Sequence, residues 1–184
     1  MKLLSAVYRK LYFLVYHLKS NLRILNLRLL YPGISIDKNC FIGKNCYIRC
    51  IKNSSLTIIK TTIHSGSVIV ADQGGVLDIR NSFIGGNSWI IARKKISITD
   101  SLIGEMVSIR DNNHNYNSLS KSILDQGFTL NPVIIKSNVW LGSKVTVLAG
   151  TTIEKNTVVG ANAVVKGLLK ENSVYVGVPA KKVR

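Results

Sequence analysis

Apolar residues return at every sixth position of this chain, a period that excludes ordinary helices and simply alternating sheets. Ile135, Leu141, Val147, Ile153, Val159 and Val165 keep strict six-residue spacing, as do Ile36, Ile42 and Ile48, Ile84, Ile90 and Ile96, and Ile103 and Ile109. A helix repeats every 3.6 residues and a strand every two. Six fits a solenoid in which each hexad is a short strand plus a turn, and three hexads close one triangular coil of about 18 residues. Four positions after the apolar residue comes a small or β-branched one: Cys40, Cys46, Ser88, Val107, Val139, Val145, Thr151, Thr157 and Ala163. Gly directly follows Ile42, Ile84, Ile103, Leu141 and Val159. The expected coil points its apolar residue inward and fills its corner with the small one. Gly or Asn then takes the turn, where positive φ is needed. Asn39, Asn45, Asn87, Asn138, Asn156 and Asn162 recur at that place. Rhythm is poorer between Cys50 and Leu77, which predicts irregular or edge-like coils there.

Residues 3 to 30 read as a helix. At 100° per residue Leu3, Leu4, Val7, Leu11, Leu14, Val15, Leu18, Leu22, Leu25 and Leu29 fall in an arc of about 120°. Lys2, Arg9, Lys10, Lys19, Arg23 and Arg28 lie outside the arc, and no acidic residue precedes Asp37. Pro32-Gly33 ends the helix and admits the first coil. The 184 residues thus divide into a basic amphipathic segment, 1–33, and a repeat domain, 34–184. Two readings of the stripe stand: it packs on the solenoid or a neighbouring subunit, or it lies in an anionic membrane interface. No stretch approaches the roughly 18 apolar residues of a spanning helix. The charged front also lacks the cleavage site of a signal peptide. The expected location is therefore cytoplasmic, with peripheral contact at the inner face of the cell membrane through residues 1–30 as one reading.

The net charge is +16, from 25 basic and 9 acidic residues, a balance that suits polyanionic ligands, anionic membranes or nucleic acid. The repeat region has few aromatics and no recognised nucleic-acid motif, so nucleic acid is set aside as a partner. Cys40, Cys46 and Cys50 are odd in number and read as reduced core thiols. No cysteine–histidine pattern has the spacing of a zinc site, and no metal is expected.

The rhythm breaks at "VSIRDNNHNYNSLSKS" (107–122) and resumes near Val133. A corner can eject a loop where a strand cannot, so residues 115–132, closed by Pro132, read as such a loop. His114 then holds the last position of the coil. An imidazole suits general-base work at neutral pH. His17, on the front helix, and His64 lack such a setting and read as structural.

The stretch "IIKSNVWLGSKVTVLAGTTIEKNTVVGANAVVKG", ending in "VGVPAKKVR", resembles the hexapeptide-repeat acyltransferases, and the resemblance covers roughly residues 34 to 184. It is most similar to the maltose, galactoside and xenobiotic acetyltransferase branch and to the surface-polysaccharide O-acetyltransferases. The resemblance implies an all-β solenoid, a left-handed parallel β-helix whose hand follows from the family and not from the spacing. It also implies a homotrimer with active sites between subunits, and acetyl-CoA as co-substrate. "DNNH" resembles an Asp-x-Asp-His signature with Asn113 in place of the second Asp. That implies His114 as the base and Asp111 as the carboxylate that orients it, a plain turn residue being the alternative for Asp111. "WLGS" implies an oxyanion donor in the backbone N–H of Ser143, with Gly142 permitting close approach, and Trp140 beside the thiol arm, an exposed corner aromatic being the alternative for Trp140. Ala161 in "GANA" would meet the pantetheine; Lys166, Lys181 and Arg184 would meet the phosphates. Lys166-Gly167 stands where relatives often have Thr-Lys.

An Asn that meets the sugar in galactoside-type relatives is missing around Arg93-Lys94-Lys95. This argues against a simple galactoside or maltose acceptor. The three cations suit an acidic glycan or a pyrophosphate-linked sugar, or are merely solvated. The expected function is acetyl-CoA-dependent O-acetylation of a sugar hydroxyl in O-antigen, capsule or exopolysaccharide biosynthesis. The acceptor would be a glycan or a lipid-linked or nucleotide sugar. N-acetylation of an amino-sugar nucleotide and a non-catalytic β-helix scaffold are the alternatives. A γ-type carbonic anhydrase is set aside, because His17, His64 and His114 lack its metal-ligand spacing.

Overall fold

The computed structural model describes the backbone of residues 2–184 and side chains from Tyr8 onward. Lys2, Leu3, Leu4 and Val7 of the front segment therefore have side chains outside the described residues. After the helix α1 (Lys2–Leu30), short strands stack in parallel into sheets of seven, eight and six strands. These form the three sides of a left-handed β-helix. The first side begins with Ile34–Ile36, the second with Phe41–Ile42 and the third with Tyr47–Cys50. Hexad residues stack coil over coil: Ile135 on Ile153, Leu141 on Val159 and Val147 on Val165. All six are at most 1% exposed. Each such side chain contributes about 1.5–3 kcal/mol by leaving water. Apart from the half-buried Cys46, the corner residues are buried too, and their hydroxyls find carbonyls: Ser88 donates to Gly104 at 3.1 Å and Thr157 to Lys170 at 3.0 Å.

The stretch from Cys50 to Leu77 corrects the expectation of irregular coils. It is regular, with Leu56, Ile58, Ile63, Ile69 and Ala71 fully buried. Its strands are longer, Ser55–Ile59 and Val68–Ala71, and each turns two alternate residues inward. A side that buries two residues cannot keep a six-residue period. Stacked positions on the first side are 22 residues apart from Ile34 to Leu56, 21 from Leu56 to Leu77 and 19 from Leu77 to Ile96. They narrow to 18 from Ile135 to Ile153 and 16 from Ile153 to Leu169. The solenoid tapers away from the helix.

Turn chemistry splits between two residue types. Asn45, Asn87, Asn138, Asn156 and Asn162 hold φ between 56° and 60°, as expected, whereas Asn39 is absent from that set. The glycines after the apolar residue do not supply positive φ. They answer to close stacking: a Cβ on Gly142 would lie 2.6 Å from the Ala161 nitrogen, and one on Gly104 2.8 Å from that of Ser143.

The helix docks in the opposite sense to its leucine stripe. Ser20 is 1% exposed and its Oγ accepts the Ile42 N–H at 2.8 Å. Arg23 donates to the Ile42 carbonyl at 3.1 Å, and Arg28 donates to that of Ile36 through Nε at 3.0 Å. Ile24 is buried and Leu27 packs beside it on the first coil. These contacts close the otherwise open backbone edge of coil one. The arc of Leu11, Leu14, Leu18, Leu22, Leu25 and Leu29 faces away and is exposed, so packing on the chain's own solenoid is not its role. No helix among the described residues is long and apolar enough to cross a membrane.

Candidate active site

The chain leaves the coil three residues earlier than the sequence suggests, after Asp111 and not after His114. Asp111 is fully buried where the third side turns back to the first. Its carboxylate accepts the N–H of Arg93 at 2.9 Å and of Lys94 at 2.7 Å, together with Nδ2 of Asn112 at 3.1 Å. These bonds close the corner of the preceding coil. The carboxylate therefore serves the turn, the alternative role for this residue, and among the described residues it makes no hydrogen bond to His114. Asn112–His114 then pairs antiparallel with Phe128–Leu130, so His114 sits on a two-stranded arm, opposite Phe128. The ejected segment is a ribbon with a tip, not a loop beginning at residue 115.

The arm braces itself. Asn115 donates through its backbone to Gly127 at 3.0 Å and through Nδ2 to Gln126 at 2.9 Å. The Gln126 amide accepts Ser118 N–H at 2.9 Å and donates to Lys121 at 3.0 Å. Its tip exposes Tyr116, Leu119, Ile123 and Leu124.

His114 is exposed, with its ring centroid 4.2 Å from that of Phe128. The Arg93 guanidinium lies 3.9 Å from the same Phe128 ring, and its buried Nε and Nη1 have no hydrogen-bond partner among the described residues. The π-face of Phe128 takes that partner's place. Beside His114 runs a cleft of about 250 Å³ that includes Asn113, Tyr116, Asn131 and, from the later coils, Ala149 and Lys166.

The remaining expected residues gather elsewhere. Gly142, Ser143 and Ala161 stack at the corner between the second and third sides, where Gly142 N–H is taken by the Val159 carbonyl at 2.8 Å. Ser143 and Ala161 N–H groups have no acceptor among the described residues. The Ser143 hydroxyl donates to Glu105 Oε1 at 2.6 Å and holds that carboxyl below its usual range. Trp140 is 52% exposed on the second side. Lys181 lies in the last strand, Lys181–Lys182, which folds back antiparallel on the same sheet, and the Arg184 carbonyl accepts Val174 N–H at 3.0 Å. The expected residues thus fall into two groups on one chain: His114 with Lys166 at one corner, and Trp140, Ser143, Ala161, Lys181 and Arg184 on the second side and its far corner. The third side, with its strand Thr146–Val147, runs between them. Glu105, Phe128 and the Arg93 stack escaped the sequence reading. Glu105 had a trace, since Gly104-Glu105 holds the same corner register as Gly142-Ser143. Among the described residues no His, Cys, Asp or Glu cluster able to hold a metal assembles.

Residues 132–167 match the bacterial transferase hexapeptide model (six repeats), and residues 33–52 match the hexapeptide repeat of succinyl-transferase. A "Probable acetyltransferase" of Mycobacterium tuberculosis is 33% identical over 165 residues, 88% of this chain and 55% of that protein. A "Putative lipopolysaccharide biosynthesis O-acetyl transferase" of Escherichia coli is 44% identical over 92 residues, 46% of this chain and 47% of that protein. The chain spans about half the length of these relatives. Among solved structures, an N-acyltransferase of Bacillus cereus, in complex with dTDP and 3-hydroxybutyryl-CoA, superposes with a TM-score of 0.68 at 20% identity. That match covers 83% of this chain and 84% of the other. A hexapeptide-repeat acetyltransferase of Vibrio cholerae complexed with acetyl-CoA gives 0.60 at 23% identity, covering 88% and 75%. Both share the fold.

Proposed function

We infer that the chain, which belongs to the hexapeptide-repeat transferases, moves an acetyl group from acetyl-CoA to a sugar hydroxyl during surface-polysaccharide synthesis. The observation that carries this reading is the exposed imidazole of His114, backed by Phe128 at the root of a braced arm and open to a cleft. The similarity to the Escherichia coli lipopolysaccharide protein supports an oxygen acceptor over an amino sugar.

In the proposed reaction His114 removes the hydroxyl proton as the sugar oxygen bonds to the thioester carbonyl carbon. The oxyanion so formed accepts the Ser143 N–H, a donor fixed by the stacked corner before the substrate arrives. Collapse breaks the carbon–sulfur bond, and the imidazolium returns its proton to the departing thiolate. Trp140 flanks the thiol arm, Ala161 meets the pantetheine, and Lys166, Lys181 and Arg184 meet the phosphates. Asp111 supports His114 at one remove, by anchoring the arm.

Because the two groups of residues occupy different corners, a complete site takes His114 from one chain and Ser143 from a neighbour. This division supports a homotrimer of solenoids side by side, with the apolar arm tip against the adjacent copy. We place the enzyme in the cytoplasm, where a lipid-linked acceptor would bring it to the inner face of the cell membrane. The test is coenzyme A release from acetyl-CoA with glycan acceptors, with an amino-sugar nucleotide as the competing substrate. His114→Ala should lose about 10²-fold or more while folding and trimer mass persist. Undiminished turnover in that variant refutes the assignment.

A further inference from the structure

The outward stripe of α1 has no partner among the described residues, and its surroundings say what it meets. Leu11, Leu14, Leu18, Leu22, Leu25 and Leu29 are each 50–74% exposed and share one face. A contiguous apolar stripe of this length on a water-exposed helix marks an interaction surface. The helix does not need it for docking, because Ser20, Arg23, Ile24 and Leu27 on the opposite face already make the contacts to coil one. Six basic and no acidic residues occur in residues 1–36. Exposed Lys10 and Lys19 border the stripe, and the first coil adds Lys44 in a groove with Val15 and Lys38 in one with Leu25.

We propose that this face lies flat in the headgroup region of an anionic lipid bilayer, leucines in the acyl boundary and the bordering lysines on lipid phosphates. The charge pattern selects this occupant. A second copy docking stripe to stripe would bring two basic rims together with no carboxylate on either helix to pair them, whereas an anionic lipid surface complements leucines and lysines at once. The stripe also points along the solenoid axis, away from the coils. Copies standing side by side would present their helices at one common end, and weak anchors would add.

Sedimentation of the full-length protein with phospholipid vesicles tests this independently of any acetyl transfer. Vesicles of phosphatidylcholine with about one quarter phosphatidylglycerol should pellet the protein better than phosphatidylcholine alone, with binding weakened near 0.5 M salt. Leu18→Asp with Leu22→Asp should lower the bound fraction about tenfold or more, with the circular dichroism spectrum unchanged. Leu168→Asp, on an exposed leucine of the last coil, should bind as the parent does. Three outcomes overturn the proposal: no pelleting of the parent, no preference for anionic vesicles, or equal binding by the double variant. A parent that self-associates in solution through Leu18 and Leu22, by light scattering, also overturns it and assigns the face to a second copy.

Discussion

Phe128 touches two groups at once, the His114 imidazole and the Arg93 guanidinium. Phe128→Ala should free the imidazole and strand a buried cation. We expect kcat to fall about tenfold with the KM for acetyl-CoA unchanged, because the proposed base would lose its orientation. Steady-state kinetics separates the two. Asp111→Ala removes a buried acceptor from two main-chain N–H groups and should cost about 3 kcal/mol, read as a lower urea midpoint. Burial pushes the Cys40, Cys46 and Cys50 thiols up, so they should react slowly with a thiol reagent until urea is added, leaving released coenzyme A legible in the assay. At Glu105 the lowered carboxyl keeps its bond to Ser143 above the ordinary carboxylate range. The bond is lost only as pH falls through the depressed value. His114 was legible because it interrupts a period. Phe128 was not, since nothing in a linear sequence pairs it with a residue fourteen positions earlier until the ribbon forms.

Corners show why glycine and asparagine are not interchangeable in this solenoid. Gly142→Ala would place a methyl 2.6 Å from backbone that has no room to yield and should cost about 1–3 kcal/mol. Met106 holds a φ of 57° with a side chain that is 46% exposed. Met106→Asn should instead raise stability by about 0.5–1 kcal/mol, since Asn tolerates the left-handed region better. Thermal unfolding of the pair distinguishes the two demands. The spacing exposed both residue types but assigned them one role, because sequence periodicity records where a corner falls and not which coil presses on it. The same blindness made coils from Cys50 to Leu77 look irregular, when each side had only grown to bury two residues.

At the scale of the molecule, the solenoid is closed at its broad end by a helix whose polar residues do the sealing. Ser20→Ala would leave the Ile42 N–H buried without an acceptor and should cost about 1–2 kcal/mol, seen as faster hydrogen exchange in the first coil than in the last. The amphipathic arc was plain in the sequence, but its direction was not: a leucine stripe signals burial, and only the caps supplied by Ser20, Arg23 and Arg28 reveal that the other face is the docked one. The helix rests on coil one, and the His114 arm departs after the fourth coil. With about 4.8 Å per stacked coil and about 10 Å for the helix, the imidazole stands roughly 25 Å above any surface on which the stripe lies. The column then acts as a ruler: an acceptor tethered to that surface would be modified several sugars out from its tether, and not at the unit nearest the lipid.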